Sequence, residues 1–411
     1  MDHVTHLVCV RCGAHSGADG PWTCARCDGI LDVRYDLERA RRTLTDVALR
    51  LRPHTIWRYA ELLPLPPSSP RPPQPVGWTP LVEAPRLAAW CGVARLRLKD
   101  EGRNPTASFK DRASAVAAAH ARVRGDTTLA CASTGNAASS LAGMTAGMGQ
   151  AAVIFIPENA PEPKVTQLLA FGATVVKVRG GYAAAYDLCS AACARFGWYN
   201  RNCAINPFLV EGKKTCGLEI GEQTAGAPQD WVVVSVGDGC TIAGVWKGLV
   251  EMHALGILPR LPKVLGVQAD GARPIVDAFL AGKDDVVPQA TTRTMADSID
   301  VGTPRNDTKA LRAVRESGGT LLAVTDAEIL EALRMTPRLS GVFGEPAGVA
   351  GIAGLRAAVA AGVVAPDASV LAVVTGSGLK DVRSARLAVG EPLVSDPDLD
   401  ALEKVLHACV P

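Results

Sequence analysis

The residues best suited to chemistry in this chain lie in the stretch Lys99-Asp-Glu-Gly-Arg-Asn-Pro-Thr-Ala-Ser-Phe-Lys110-Asp-Arg112. A loop rich in Gly, Asn and Pro follows an apolar run and leads into an Ala-rich segment of helical character, with Thr106 or Ser108 as the expected cap. Lys110 then falls in the first helical turn, where the positive end of the helix dipole disfavours a cation. An amine held partly unprotonated is a nucleophile that condenses with an aldehyde. Taken alone, a lysine at a helix start is ordinarily a solvated surface residue.

Three small-residue loops change that reading. Ser133-Thr134-Gly135-Asn136-Ala137-Ala138 stands between a β-rich run and a helical one, and its free backbone N–H groups suit a carboxylate or phosphate. Gly237-Asp238-Gly239-Cys240-Thr241 follows WVVVSV and precedes TIAGVWKGLV, and its amides with the Thr241 hydroxyl suit a phosphate. Thr375-Gly376-Ser377-Gly378-Leu379-Lys380-Asp381 follows SVLAVV and offers two hydroxyls at a strand end. Each loop alone is a weak signal, because tight strand-to-helix turns use Gly for steric reasons.

A second constellation lies near the N-terminus. Cys9 and Cys12 form one C-x-x-C pair and Cys24 and Cys27 another, with eleven residues between the pairs. Four thiolates with no open position suit a structural Zn2+, and a segment this short would need the ion to fold. The alternative is a ribbon that has lost its metal and persists as a small lobe. The chain holds twelve cysteines, and those outside the cluster lie in apolar stretches as expected of buried, reduced thiols.

These residues must be positioned by a sizeable scaffold. The chain has 411 residues, 48% hydrophobic and 20% charged, with net charge +2. That is enough for two or more domains, and it gives no field that would favour nucleic acid or a membrane surface. No apolar run reaches the length of a spanning helix, and the first residues do not form a signal peptide, so a cytoplasmic location is expected. From about residue 94 β-rich runs alternate with helical runs: ARLRLKD, TLACAST, AAVIFIP, ATVVKVRG, WVVVSVG, KVLGVQAD and SVLAVVTG are the strands. Such alternation predicts parallel βαβ units, with ligands beyond the carboxyl ends of the strands. The Pro-rich segment 62–80 reads as a stiff, extended linker.

The motifs GWTPLVEAPRL, LKDEGRNPTASFKDR, STGNAASSLAG, NPFLVEGKKT, VSVGDGCTIAGVWKGL, GEPAGVAG and TGSGLKD resemble the threonine synthase group of fold-type II pyridoxal 5′-phosphate enzymes, within the broader tryptophan synthase β superfamily. The resemblance runs from roughly residue 79 to 390. It implies two open, mostly parallel α/β sheet domains with an N-terminal zinc-ribbon-like segment. The expected boundaries are 1–35 for the ribbon, 36–80 for a linker, 81–126 with 204–395 for the large cofactor domain, 127–203 for a small mobile domain and 396–411 for a tail.

Carried over motif by motif, the resemblance makes Lys110 the Schiff-base lysine and proton shuttle, with Phe109 packed near the cofactor ring. Asn136 would bond the ring hydroxyl, residues 237–241 the phosphate, and Thr375, or less favourably Ser377, the pyridine nitrogen. Ser133, Thr134 and Gly135 would hold the substrate carboxylate. Threonine synthases read close to SVNPxRxEGQKT where the substrate phosphate binds, but here Ala204 stands for the Ser and Leu209 for the Arg. The missing charge would then come from Arg103, Arg201, Lys213 or Lys214, or O-phosphohomoserine is not the substrate. The expected activity is conversion of O-phosphohomoserine and water to threonine and phosphate. The alternative is β-elimination or β-replacement on serine, threonine or an activated serine. The expected partner is a small amino-acid substrate rather than nucleic acid or a membrane, and the expected assembly is a homodimer.

Overall fold

The computed structural model describes residues 3–160, 162–203 and 205–409, so Ala204 lies outside the described residues. The chain opens with a three-stranded antiparallel sheet, order β2-β1-β3, from β1 (Val4–Cys9), β2 (His15–Ser16) and β3 (Leu31–Tyr35). Two short helices follow, α1 (Leu37–Thr43) and α2 (Asp46–Leu51). The side chains of Asp36 and Thr45 cap them by accepting from Arg39 N and Ala48 N.

The expectation of an unpacked Pro-rich linker does not hold. Ile56, Leu63, Leu65 and Val76 are buried against Ala115, Val116, Ala118, Ala119 and Met144. The segment folds through tight turns, with Leu65 N donating to Leu63 O at 2.8 Å and Ser69 N to Pro66 O at 3.0 Å, and its apolar residues cover an Ala-rich helix face that would otherwise meet water.

Next come β4 (Leu81–Glu83), α3 (Pro85–Cys91), β5 (Arg95–Asp100) and α4 (Lys110–Arg124). A parallel four-stranded sheet, order β8-β7-β6-β9, is built from β6 (Thr128–Ala132), β7 (Ala151–Pro157), β8 (Thr174–Val178) and β9 (Tyr199–Asn200). It carries α5 (Asn136–Met148), α6 (Glu162–Ala170) and α7 (Tyr182–Phe196). The chain then returns through α8 (Phe208–Gln223), β10 (Trp231–Ser235), α9 (Cys240–Ala254), β11 (Lys263–Ala269), α10 (Pro274–Leu280) and α11 (Asp307–Glu316). It closes with β12 (Thr320–Val324), α12 (Asp326–Ser340), α13 (Pro346–Ala360), β13 (Ser369–Val374), α14 (Val382–Val389) and α15 (Leu399–Cys409). The larger sheet has the order β12-β11-β10-β13-β5-β4 and is parallel except for β4 against β5. Two mostly parallel sheets are therefore present, as the alternation of elements predicts. Among the described residues no helix is long and apolar enough to cross a membrane.

Two features fix the scaffold around the site. Helices α8 and α9 approach so closely that a Cβ on Gly217 would meet Val245 O at 2.1 Å, and one on Gly248 would meet Lys214 O at 2.2 Å. Only glycine permits that contact. Beside it runs a fully buried ion network: Arg112 Nε pairs with Glu101 at 2.7 Å, Arg112 Nη1 with Glu219 at 2.6 Å, and Lys99 Nζ with Glu219 at 2.8 Å. Burial works against the Glu219 carboxylate, but Arg112 and Lys99 outweigh it and hold its pKa at about 2. The network locks β5, α4 and α8 together, so Arg112 of the SFKDR motif is a structural residue.

Candidate active site

The loops after β5, β6, β10 and β13 open at the carboxyl ends of their strands onto one cavity of about 620 Å³. Lys110, Ser133, Thr134, Gly135, Asn136, Thr375 and the whole loop Gly237–Thr241 line it. The sequence motifs thus converge on one place, as expected for the carboxyl edge of open parallel sheets.

Lys110 is the first residue of α4. Neither Thr106 nor Ser108 caps that helix. Instead Asp111, in the first turn, accepts from Thr106 N at 2.6 Å and from the Thr106 hydroxyl, and these bonds oppose the burial that pushes its pKa up to about 6. Burial lowers the Lys110 pKa, and the Lys213 ammonium adds to that shift. Phe109 lies in the apolar core beneath the cavity rather than on its wall, and its N–H donates to Thr375 O at 2.8 Å. That bond ties the Lys110 turn to the strand end that carries Thr375.

The loop before α9 is a cradle of small residues. Gly239 has φ +90, and a Cβ there would meet Asn306 O at 2.7 Å. Asp238 is held in the loop by Arg305 N, which donates to its Oδ1 at 3.2 Å. Burial pushes the Asp238 pKa up to about 6, with the neighbouring Cys203 contributing. Asn136 Nδ2 donates to Glu345 Oε1 at 2.7 Å, and a Cβ on Gly376 would meet that same oxygen at 2.4 Å. Ser377 does not reach the cavity; its hydroxyl caps the turn that follows, accepting from Leu379 N at 3.3 Å.

Of the four cations offered for a substrate phosphate, two reach the cavity. Arg201 and Lys213 are buried and line it. Arg103 does not: its side chain is 72% exposed and pairs with Asp100 at 3.3 Å. Lys214 is also excluded, being held by Glu211 at 2.7 Å and Glu251 at 2.9 Å. Leu209 is fully buried in the apolar cluster that includes Ala113, Ala117 and Tyr199. Sequence reasoning missed Glu345, Cys203 and Arg305, which also line the cavity. Arg305 stacks on Tyr186 at 4.1 Å, and no spacing in the sequence signals that contact.

At the N-terminus, the Sγ atoms of Cys9, Cys12, Cys24 and Cys27 all lie within 4.8 Å of one another. Gly29 makes this possible, since a Cβ there would meet Cys9 Sγ at 2.9 Å. Tetrahedral zinc thiolates, with Zn–S near 2.3 Å, place sulfurs about 3.8 Å apart. The Cys9–Cys27 and Cys12–Cys24 separations are 3.5 and 3.7 Å.

The fold is shared with enzymes of amino-acid chemistry. Maize serine racemase superposes with TM-score 0.64 at 21% identity, covering 80% of this chain and 92% of that one. Escherichia coli diaminopropionate ammonia lyase superposes with TM-score 0.66 at 20% identity, covering 84% and 93%. The family model for pyridoxal-phosphate dependent enzymes matches residues 73–376, and the chain belongs to that family. Within it, the chain is 40% identical to threonine synthase of Methanosarcina acetivorans over 98% of both proteins. It is 38% identical to threonine synthase of Methanocaldococcus jannaschii over 97% of this chain and 98% of that one. For threonine synthase of Mycobacterium leprae the identity is 38%, over 80% of this chain and 88% of the relative.

Proposed function

We propose that this chain converts O-phosphohomoserine and water to threonine and phosphate. The observation that carries the reading is a lysine that lines one cavity with two buried cations, Arg201 and Lys213, in a chain 40% identical to a threonine synthase. The cavity residues fit pyridoxal phosphate: an amine of lowered pKa lies across from a glycine cradle whose amides suit a phosphate. When bound, pyridoxal phosphate withdraws electrons from the carbons next to an amino acid's nitrogen.

The remaining work falls to this chain's own side chains. Lys110 anchors the cofactor and moves protons at Cα and Cβ of the substrate. Its lowered pKa keeps the amine able to accept them. Ser133, Thr134 and Gly135 hold the substrate carboxylate at the start of α5, and Lys213 with Arg201 neutralises the phosphate that leaves from Cγ. Asn136, Thr375 and residues 237–241 orient the cofactor. With phosphate gone, water adds at Cβ. The β-elimination or β-replacement reading is not favoured by the near-full-length relatives. The test is phosphate release from O-phosphohomoserine by the purified holoenzyme, with the amino-acid product identified. No release, or a product other than threonine, sinks the reading.

We also propose that Cys9, Cys12, Cys24 and Cys27 hold one structural Zn2+, and that residues 127–203 move as the small domain. A homodimer in the cytoplasm completes the reading, checked by solution mass and by cell fractionation.

A further inference from the structure

Cys203 and Cys240 come from distant parts of the chain and meet on the cavity wall, with their sulfurs 3.2 Å apart. Cys203 lies just after β9, and Cys240 is the first residue of α9, inside the small-residue loop. Lys213 Nζ donates to Cys203 Sγ at 3.0 Å. We propose that Cys203 and Cys240 are a peroxide-responsive thiol pair that closes reversibly to a disulfide across the cavity wall.

Three observations coincide at this pair. The sulfurs are already adjacent, so a bond near 2.05 Å needs an approach of roughly 1.2 Å. Both residues border a cavity large enough to admit a small oxidant. A cation stands against one sulfur, and thiolates are the reactive form. The hydrogen bond with Cys240 holds the Cys203 thiol well below its usual range against the opposing effect of burial, and Lys213, Lys110 and Arg201 add to it. Burial instead pushes Cys91 and Cys131 up to about 12.

The chemistry balances with hydrogen peroxide as oxidant. The Cys203 thiolate attacks one peroxide oxygen, an S–O bond forms, and the O–O bond breaks. The leaving hydroxide takes a proton relayed by Lys213, which regains one from solvent. The Cys240 sulfur then attacks the Cys203 sulfenic acid, the S–S bond forms, and the S–O bond breaks. The departing hydroxide leaves as water with the Cys240 proton. Two sulfurs lose two electrons in total, and peroxide becomes two waters. The product pulls the start of α9 toward residue 203 and removes the anionic partner of Lys213.

The experiment is peptide mapping of the holoenzyme after a small molar excess of hydrogen peroxide, alkylation of free thiols and digestion without reductant. A Cys203–Cys240 linked peptide that vanishes on dithiothreitol treatment is the expected result. In Cys240→Ser, Cys203 should accumulate as sulfenic acid and take dimedone. The proposal is overturned if both thiols of the wild type remain alkylatable, or if Cys203 overoxidises or joins another residue while Cys240 stays free. The wild-type map decides the matter even if the variant does not fold.

Discussion

Lys213 and Lys214 are neighbours on α8 but have different surroundings. Lys213 borders the cavity, whereas Lys214 is held between Glu211 and Glu251. One lysine is therefore available to a substrate and the other is a structural ion-pair partner.

That difference fixes the first expectation. Lys213→Met should lower kcat/KM for O-phosphohomoserine by about 2–4 kcal/mol, or roughly 30- to 1000-fold, because a charge-assisted phosphate contact in a desolvated site is lost. Slow deamination of serine or threonine, which carry no phosphate, should fall far less, because burial remains the main cause of the lowered Lys110 pKa. Arg201→Met should behave in the same direction, and Arg103→Ala, outside the cavity lining, should leave both reactions unaltered. Unchanged O-phosphohomoserine kinetics in both buried-cation variants would falsify the phosphate assignment.

Lys110 is the amine expected to carry the cofactor. Borohydride reduction of the holoenzyme followed by peptide mapping should place the label on Lys110. Lys110→Ala should lose the cofactor's visible band and fall to background turnover. Label recovered at Lys213 instead would reverse the roles of the two amines.

The ribbon should bind one zinc per chain, measured by elemental analysis. It is docked by Lys309 donating to Leu31 O at 2.8 Å and Lys247 donating to Val33 O at 2.6 Å. Chelation should raise amide exchange in residues 3–35 while leaving the cofactor's absorbance intact. Immediate loss of turnover with the rest of the exchange pattern unchanged would show that the metal is not merely structural.

His120, on the helix that carries Lys110, is buried with Nδ1 3.1 Å from the Tyr199 hydroxyl. Burial pushes its pKa down to about 3 from 6.5. The folded state thus favours the neutral ring, and the unfolded state binds the proton first. This contribution is complete above pH 6.5 and is lost as pH falls toward 3. Between pH 7 and 4.5 the loss should be about 2–3 kcal/mol, read from urea unfolding. His120→Asn should show a shallower fall over the same range, and an equal slope would mean that His120 is not the titrating group.

Much of the site was legible in local sequence because its parts are local. A strand ending in a small-residue loop before a helix is a short-range pattern, and it located Lys110, Ser133–Asn136, 237–241 and Thr375. The four-cysteine cluster was equally plain, since the C-x-x-C turns set the thiols in pairs. The folding of Leu63, Leu65 and Val76 onto α4 was not legible, because proline composition describes backbone stiffness and not what the leucines between the prolines can cover.

The sequence by itself determined the parallel α/β architecture, the candidate lysine and the kind of loop that surrounds it. The architecture and the loops follow from periodicity and turn chemistry within a few residues, and the role of the lysine from the motif resemblance. Only the tertiary structure decided which cations line the cavity, because Arg103, Arg201, Lys213 and Lys214 all carry a positive charge and differ in where the fold places them. It also brought Asn136 to Glu345 and Cys203 to Cys240, residues 209 and 37 positions apart. Contacts of that kind join elements distant in the chain, a three-dimensional fit that no local spacing encodes.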